Sequence, residues 1–204
     1  ALLVDLDDNT IVSQKGAYDR ISPASMTKIL TVLVAAEHVT DLDDTFTITK
    51  EITDFSYSHD CSAVGFLDEE TVTVRDLLYG TILPSGGDAA AGLACYVAGS
   101  MDAFVDMMNE KLAELGCQES HFENPSGLNG DNQYVSAYDM ALIAQAAYDN
   151  ETMVEISSAT THKIAPTTQN PDGFTIRGEH RLCVTEDQSS PYYYPEAIAG
   201  KTGY

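Results

Sequence analysis

Strand-like segments at both ends of a helical middle predict an α/β chain of the α+β type: a sheet with helices packed on it and a helical lobe beside it. Residues 1–15 hold two alternating segments about the polar turn Asp7-Asp-Asn-Thr10. Residues 22–147 are dominated by apolar runs at helical spacing, punctuated by Gly, Pro and Ser. From Thr160 the pattern changes to short strand-like pieces such as Phe174-Thr-Ile-Arg177, separated by Pro166, Asn170-Pro-Asp-Gly173 and Ser190-Pro191. The 204 residues, 44% of them hydrophobic, suffice for one substantial domain with a real core. The helical lobe is placed at approximately residues 53–158, inserted between the sheet-forming ends.

The first two segments, Ala1-Leu-Leu-Val-Asp-Leu6 and Ile11-Val-Ser-Gln-Lys15, are expected to pair as a β-hairpin. Next comes Ser22-Pro-Ala-Ser25-Met-Thr-Lys28, leading into Ile-Leu-Thr-Val-Leu-Val-Ala-Ala-Glu-His38. Ser22 can cap a helix, Pro23 suits its first turn, and residues 29–36 are apolar on nearly every face, so the helix should be buried. Thr45-Phe-Thr-Ile-Thr49 reads as a short strand, and residues 56–70 as turn-rich with little regular structure. Val74, Leu77, Leu78 and Ile82 recur at helical spacing until Pro84-Ser85-Gly86-Gly87 stops them. Such a break between two apolar helices can aim a side chain. Residues 88–98 form the next helix, with Asp88 as its N-cap, and Ser100 caps a further one that presents Phe104, Val105, Met108, Leu112 and Leu115 and ends at Gly116. Asn124-Pro-Ser-Gly-Leu128 is a turn, and Ser136-Ala-Tyr-Asp139 resembles a capping box that opens a helix through Ala147.

Ten Lys plus Arg against 32 Asp plus Glu give a formal charge of -22, which repels nucleic acid and anionic headgroups. No run of eighteen apolar residues is present, so the sequence contains no membrane-spanning helix. Cys61, Cys95, Cys117 and Cys183 are widely spaced, without a Cys-x-x-Cys pair. Three pairings are open to them, the reduced state is favoured, and Cys95 reads as a core residue. His59-Asp-Cys61 comes nearest to a ligand cluster, but no metal or other cofactor is expected.

The chemistry centres on Ser25 and Lys28. Three residues apart at a helix start, they share a face. A lysine kept neutral by burial can take the proton of a serine hydroxyl, and free N–H groups at the helix start can hold an oxyanion.

Together Ser25-x-x-Lys28, Ser85-Gly86-Gly87 and Lys201-Thr202-Gly203 match, in order and approximate spacing, the three motifs of penicillin-recognising serine enzymes. The intervening Pro23-Ala-Ser-Met-Thr-Lys-Ile-Leu-Thr31, Asp76-Leu-Leu-Tyr-Gly-Thr-Ile-Leu83, Asp88-Ala-Ala90, Phe122-Glu-Asn-Pro-Ser-Gly-Leu128 and Gly200-Lys-Thr-Gly-Tyr204 extend the match. Over essentially its whole length the chain resembles the low-molecular-mass D-alanyl-D-alanine carboxypeptidases, serine peptidases that trim peptidoglycan stems. The resemblance implies a β-lactamase/transpeptidase-like fold, with a mostly antiparallel sheet flanked by helices, a helical lobe, and the active site between them.

It further implies that Ser25 is the acylated nucleophile, Lys28 its general base, and Ser85 a proton relay across the cleft. Lys201 and Thr202, on a sheet-edge strand, would bind the substrate's terminal carboxylate. Gly203 would let the substrate backbone approach, and the N–H groups of Ser25 and Tyr204 would form the oxyanion hole. The implied substrate is a stem peptide ending in D-Ala-D-Ala, with β-lactams as covalent inhibitors and an extracytoplasmic site of action. Any membrane attachment would lie in a segment outside this chain.

Two departures from the family pattern stand out. Where the second motif usually ends in asparagine, Gly87 can contact neither the lysine nor the substrate carbonyl with a side chain, so activity should be altered and Gly87→Asn should raise turnover. Water or a shifted Asp88 could substitute for the missing amide. The sequence also stops where further strands and a closing helix are expected, as for an incomplete domain. Two other outcomes follow from the same residues: a peptidoglycan-binding or β-lactam-sensing domain that acylates and turns over poorly, or a β-lactamase using Glu123 for deacylation. Tyr192-Tyr-Tyr194 could line the cleft or simply pack.

Overall fold

A computed structural model describes residues 1–182, 189 and 191–204. In chain order its elements are β1 (Leu2–Asp5), β2 (Thr10–Gln14), β3 (Arg20–Ile21), α1 (Thr27–His38), β4 (Thr45–Thr47), α2 (Lys50–Ser58), β5 (Thr71–Thr73), α3 (Val74–Ile82), α4 (Gly87–Ala98), α5 (Met101–Glu114), β6 (Val135–Ser136), α6 (Ala137–Tyr148), α7 (Glu151–Ser158), β7 (Thr161–Ile164) and β8 (Phe174–Arg177). This is the α/β class expected.

Helix α1 is the hub. Every residue from Thr27 to Ala35 is buried, because α3, α4, α5, α6 and α7 all pack against it. A helix apolar on all faces is stable only in such surroundings. The alanines of α4 (Ala89, Ala90, Ala91, Ala94) are fully buried and keep it slim enough to sit close to α1 and α3. Leu30, Leu33, Leu77, Leu78, Leu93, Phe104, Met108, Phe122, Ile143 and Met153 fill the space between these helices.

Polar side chains set several helix starts. Thr73 Oγ1 accepts the Asp76 N–H at 3.0 Å while Asp76 Oδ2 accepts the Thr73 N–H at 3.1 Å, a reciprocal capping box on α3. Ser100 caps α5 as expected, and Ser136 accepts the Asp139 N–H at the start of α6. The second half of the capping box expected at Ser136 is not formed. Asp139 Oδ2 instead accepts the Glu119 N–H and the Ser120 hydroxyl, both at 2.7 Å, tying α6 to the segment after α5.

The strands are antiparallel but form four separate two-stranded ladders among the described residues: β1 with β2, β3 with β6, β4 with β5, β7 with β8. The expected N-terminal hairpin is present and packs against α6. Two helices, α2 and α7, lie where none was expected. No strand is formed at residues 197–204, so Lys201 and Thr202 sit on irregular chain, not on a sheet edge. Cys183 and Ser190 fall outside the described residues.

Candidate active site

Ser25 lies in a 3-10 turn, Ala24–Met26, that leads into α1. Ser22 is not its cap: the Ser22 hydroxyl donates to Asn129 Oδ1 at 2.5 Å, binding the turn to a distant loop. Ala24 takes φ 46°, a left-handed conformation that costs a residue with a side chain and persists only where neighbours enforce it. The neighbour is residue 127. A Cβ there would fall 1.9 Å from the Ala24 carbonyl oxygen, and φ is 90°, so this position admits only glycine and the loop can press directly beneath the serine. Asn124 builds that loop with one side chain. Its Oδ1 accepts the N–H groups of Ser126, Gly127 and Leu128 and the Ser126 hydroxyl, while its Nδ2 donates to the Leu128 carbonyl at 2.9 Å.

The loop thereby presents the Ser126 carbonyl to Lys28. Lys28 Nζ donates to Ser126 O at 2.5 Å and to Ser25 Oγ at 3.1 Å. Burial, and secondarily the charge of Lys201, lower the Lys28 pKa to about 7. Ser25, Lys28, Cys61, Ser126, Gly127 and Tyr204 line one cavity of about 250 Å³.

Ser85 occupies the break between α3 and α4, with φ 61°. The turn is closed by Gly86 N–H donating to Gly80 O at 2.9 Å, and the buried Ser85 hydroxyl accepts from Lys201 Nζ at 2.9 Å. Lys201 also donates to Thr202 O at 2.8 Å; burial lowers its pKa to about 8, with Glu179 opposing. Lys201 and Thr202 border a small hollow with Glu179 and His180, whose pKa burial and Lys201 lower. Gly203 runs against Pro23 and Met26, so the third motif passes alongside the Ser25 turn. The structure therefore brings Ser25, Lys28 and Tyr204 to one cavity and Ser85 to Lys201, with the two lysines coupled by charge.

Gly87 is walled off. A Cβ built on it would lie 3.0 Å from Cys61 Cβ, 3.2 Å from Cys61 Sγ and 3.4 Å from Ser62 O. Asparagine fits there only if Cys61 gives by a few tenths of an ångström, so the effect of Gly87→Asn on turnover depends on how firmly the Cys61 loop is held. Nor is Asp88 the N-cap of α4; that position is Gly86. The Asp88 carboxylate instead accepts the N–H groups of Val64, Gly65 and Phe66 at 2.9, 2.9 and 3.2 Å, holding the loop that carries Cys61 and leaving no free oxygen to replace the missing amide.

Glu123 is exposed and bonded to Asn132 and does not line the Ser25 cavity, which removes the candidate for a deacylating carboxylate. Nor do Tyr192, Tyr193 or Tyr194 line it; Tyr194 donates to Glu196 and Arg181 lies over the Tyr192 ring. His59 Nδ1 is 2.8 Å from Phe55 O. Sequence reasoning missed Asn124, Ser126 and Cys61. The first two had a signal, a turn motif rich in side-chain acceptors, while Cys61 sits in a loop whose approach to α4 no local pattern encodes.

A Ser-x-x-Lys pair at the entry to a buried helix, on a fold of helices with small antiparallel ladders, defines the class of the fold as that of serine peptidases. The chain belongs to the D-alanyl-D-alanine carboxypeptidase family of S11 peptidases, whose family model matches residues 1–190. It is 30% identical over its whole length to D-alanyl-D-alanine carboxypeptidase DacF of Bacillus subtilis and 34% identical to DacB2 of Mycobacterium tuberculosis, spanning 50% and 65% of those proteins. Among solved structures, a variant of the Streptomyces K15 DD-transpeptidase superposes with a TM-score of 0.90 at 29% identity, covering all of this chain and 79% of that one. A penicillin-binding protein homologue from Mycobacterium tuberculosis gives 0.86 at 32% identity, covering 100% and 72%.

Proposed function

We propose that the chain carries the acyl-transfer site of a serine-type D-Ala-D-Ala carboxypeptidase acting on peptidoglycan stem peptides outside the cytoplasmic membrane. The observation that carries this reading is the 3.1 Å contact between Lys28 Nζ and Ser25 Oγ, with a lysine pKa near neutrality. One Lys28 N–H is spent on the Ser126 carbonyl, which leaves the lone pair of the neutral amine free to face the Ser25 hydroxyl.

In this mechanism Lys28 takes the Ser25 proton as Oγ attacks the carbonyl of the penultimate D-alanine. The N–H groups of Ser25 and Tyr204 hold the resulting oxyanion. As the peptide C–N bond breaks, Ser85 passes a proton to the departing amine, supported by Lys201. Lys201 and Thr202 hold the terminal carboxylate of the leaving D-alanine. Gly203, against Pro23 and Met26, keeps that edge free of side-chain bulk for the substrate backbone. Water then cleaves the acyl-enzyme with Lys28 again as base, releasing the shortened stem.

A second function, β-lactam sensing by a domain that acylates and turns over slowly, is favoured by the absence of a side chain at Gly87. One experiment separates the two: incubation with a D-Ala-D-Ala peptide, assay of free D-alanine, and mass spectrometry after benzylpenicillin. A Ser25 adduct with D-alanine release supports the peptidase. A persistent adduct without release supports the sensor, and no adduct on Ser25 refutes both.

A further inference from the structure

We propose that Cys61 and Gly87 form one composite position of the catalytic cavity, in which the loop after α2 supplies the side chain that the start of α4 lacks and the Cys61 thiol borders the acyl donor bound at Ser25. The second half of this proposal rests on the acyl-transfer function above; the first half does not.

The packing is specific. The room that a residue larger than glycine would need at position 87 is filled by Cys61 Cβ and Sγ, 3.0 and 3.2 Å from where its Cβ would be. Cys61 is fixed from both flanks. On one side its own N–H donates to Ser56 O at 3.1 Å, at the end of α2. On the other, Ser62 O accepts the Gly87 N–H at 2.7 Å, and Asp88 takes three consecutive N–H groups of residues 64–66. The loop is thus stitched to the first turn of α4 immediately beside Gly87, and the cysteine has one place to go.

That place is catalytic. Cys61 shares the cavity of Ser25, Lys28 and Tyr204. The other free cysteines among the described residues do not: Cys117 Sγ donates to Asp139 O, and Cys95 packs on the core within α4. Burial pushes the Cys61 thiol up, the Lys28 charge pulls it down, and Asp88 and Asp60 push it up again, with a net rise. The group is therefore a neutral S–H, a weak donor on a soft, apolar atom. It lines the same cavity as Ser25 and Lys28, so the acyl donor, peptide or β-lactam, would meet a thiol there.

Two measurements test the proposal. The first is a cycle of Gly87→Asn, Cys61→Gly and the double variant, read by thermal melting and by the rate of acylation with benzylpenicillin. Gly87→Asn alone should lower the melting temperature and slow acylation about tenfold or more, and adding Cys61→Gly should restore most of both, as expected for a relieved overpacking. Additive losses overturn the composite position, and additivity in the melting temperatures alone does so even in a protein that never acylates. The second is site-resolved alkylation with iodoacetamide. At a pH above the ordinary thiol value of 9.0, where the raised Cys61 thiol begins to supply the thiolate that alkylation needs, Cys61 should react in the free protein and be protected about tenfold or more once Ser25 carries the penicilloyl group, with Cys95 and Cys117 unchanged, because the adduct fills a cavity of this size. A Cys61 that reacts equally before and after acylation, or that resists iodoacetamide at this alkaline pH while the denatured protein reacts, overturns its contact with the acyl donor. Failure of wild-type protein to form any adduct refutes the acyl-transfer function itself.

Discussion

Lys28 Nζ donates to the Ser126 carbonyl at 2.5 Å, a bond that joins the start of α1 to a loop 98 residues later. It holds the lysine where its other contact, the Ser25 hydroxyl at 3.1 Å, can be made. A base in this position needs to be neutral, and both its burial and its neighbour Lys201 act in that direction.

The pH dependence of acylation should therefore be bell-shaped and narrow. Lys28, lowered to about 7, is an effective base above that pH, and Lys201, lowered to about 8, keeps its charge below that one. The rate of Ser25 acylation by a D-Ala-D-Ala peptide should rise through about 7 and fall above about 8. Stability carries the same sign on the rising side. Between these values and the ordinary lysine pKa of 10.5 the unfolded chain binds more protons than the folded one, so both lysines make stability rise with pH across that window. Stopped-flow acylation and denaturant melts at several pH values check the two statements separately.

Lys201→Gln should act twice. Loss of a charge-assisted contact should lower kcat/KM about 10- to 100-fold for a peptide with a free terminal carboxylate, and much less for the same peptide ending in an amide. Because the Lys201 charge helps depress Lys28, the acid limb of the profile should also move to higher pH. An unchanged limb would show that burial alone sets the Lys28 pKa.

Asn124→Ala removes the acceptor of four donors and the donor to Leu128 in a half-buried loop. A stability loss of about 2–4 kcal/mol is expected in urea titration, the sum of several unsatisfied groups. Under conditions where the variant is fully folded, acylation should still be slower than in wild type, because Ser126 no longer aims its carbonyl at Lys28.

Asp88→Asn swaps a charged acceptor of four N–H groups, those of Val64, Gly65, Phe66 and Ala89, for an amide with only one oxygen. Thermal melts should show a loss of about 1–3 kcal/mol. Freed from α4, the loop should open, and Cys61 should be alkylated faster than in wild type. Unchanged alkylation would mean that Ser62 O and Gly87 N–H suffice to hold it.

Much of this architecture was readable in the residues. The all-round apolar face of α1, the break at Pro84 to Gly87 and the Ser100 cap gave the helical layers, since each depends on contacts within a few positions. What escaped were features decided at long range. Ser22 has a good capping side chain, yet Asn129 claims it. Helix α2 buries only Ile52 and Ser56 and is rich in Thr, Ser and Tyr, so its sequence favours a loop as readily as a helix. Asp88 sits where a cap could be and serves a neighbouring loop instead. Of the site, the motif residues Ser25, Lys28, Ser85 and Lys201 were legible because each sits within a short characteristic string. Cys61 was not, because its place depends on how a loop is stitched to a helix 26 residues further on.

The bonds that complete the site span 98 residues from Lys28 to Ser126 and 116 from Ser85 to Lys201. A nascent chain thus presents Ser25 long before these bonds can form, and no partial fold ending short of residue 201 would react with a penicillin through the arrangement described. A fluorescent β-lactam would accordingly report completion of this site, and its uptake during refolding would time the docking of residues 201–204 onto the Ser25 turn, independently of when the helices form.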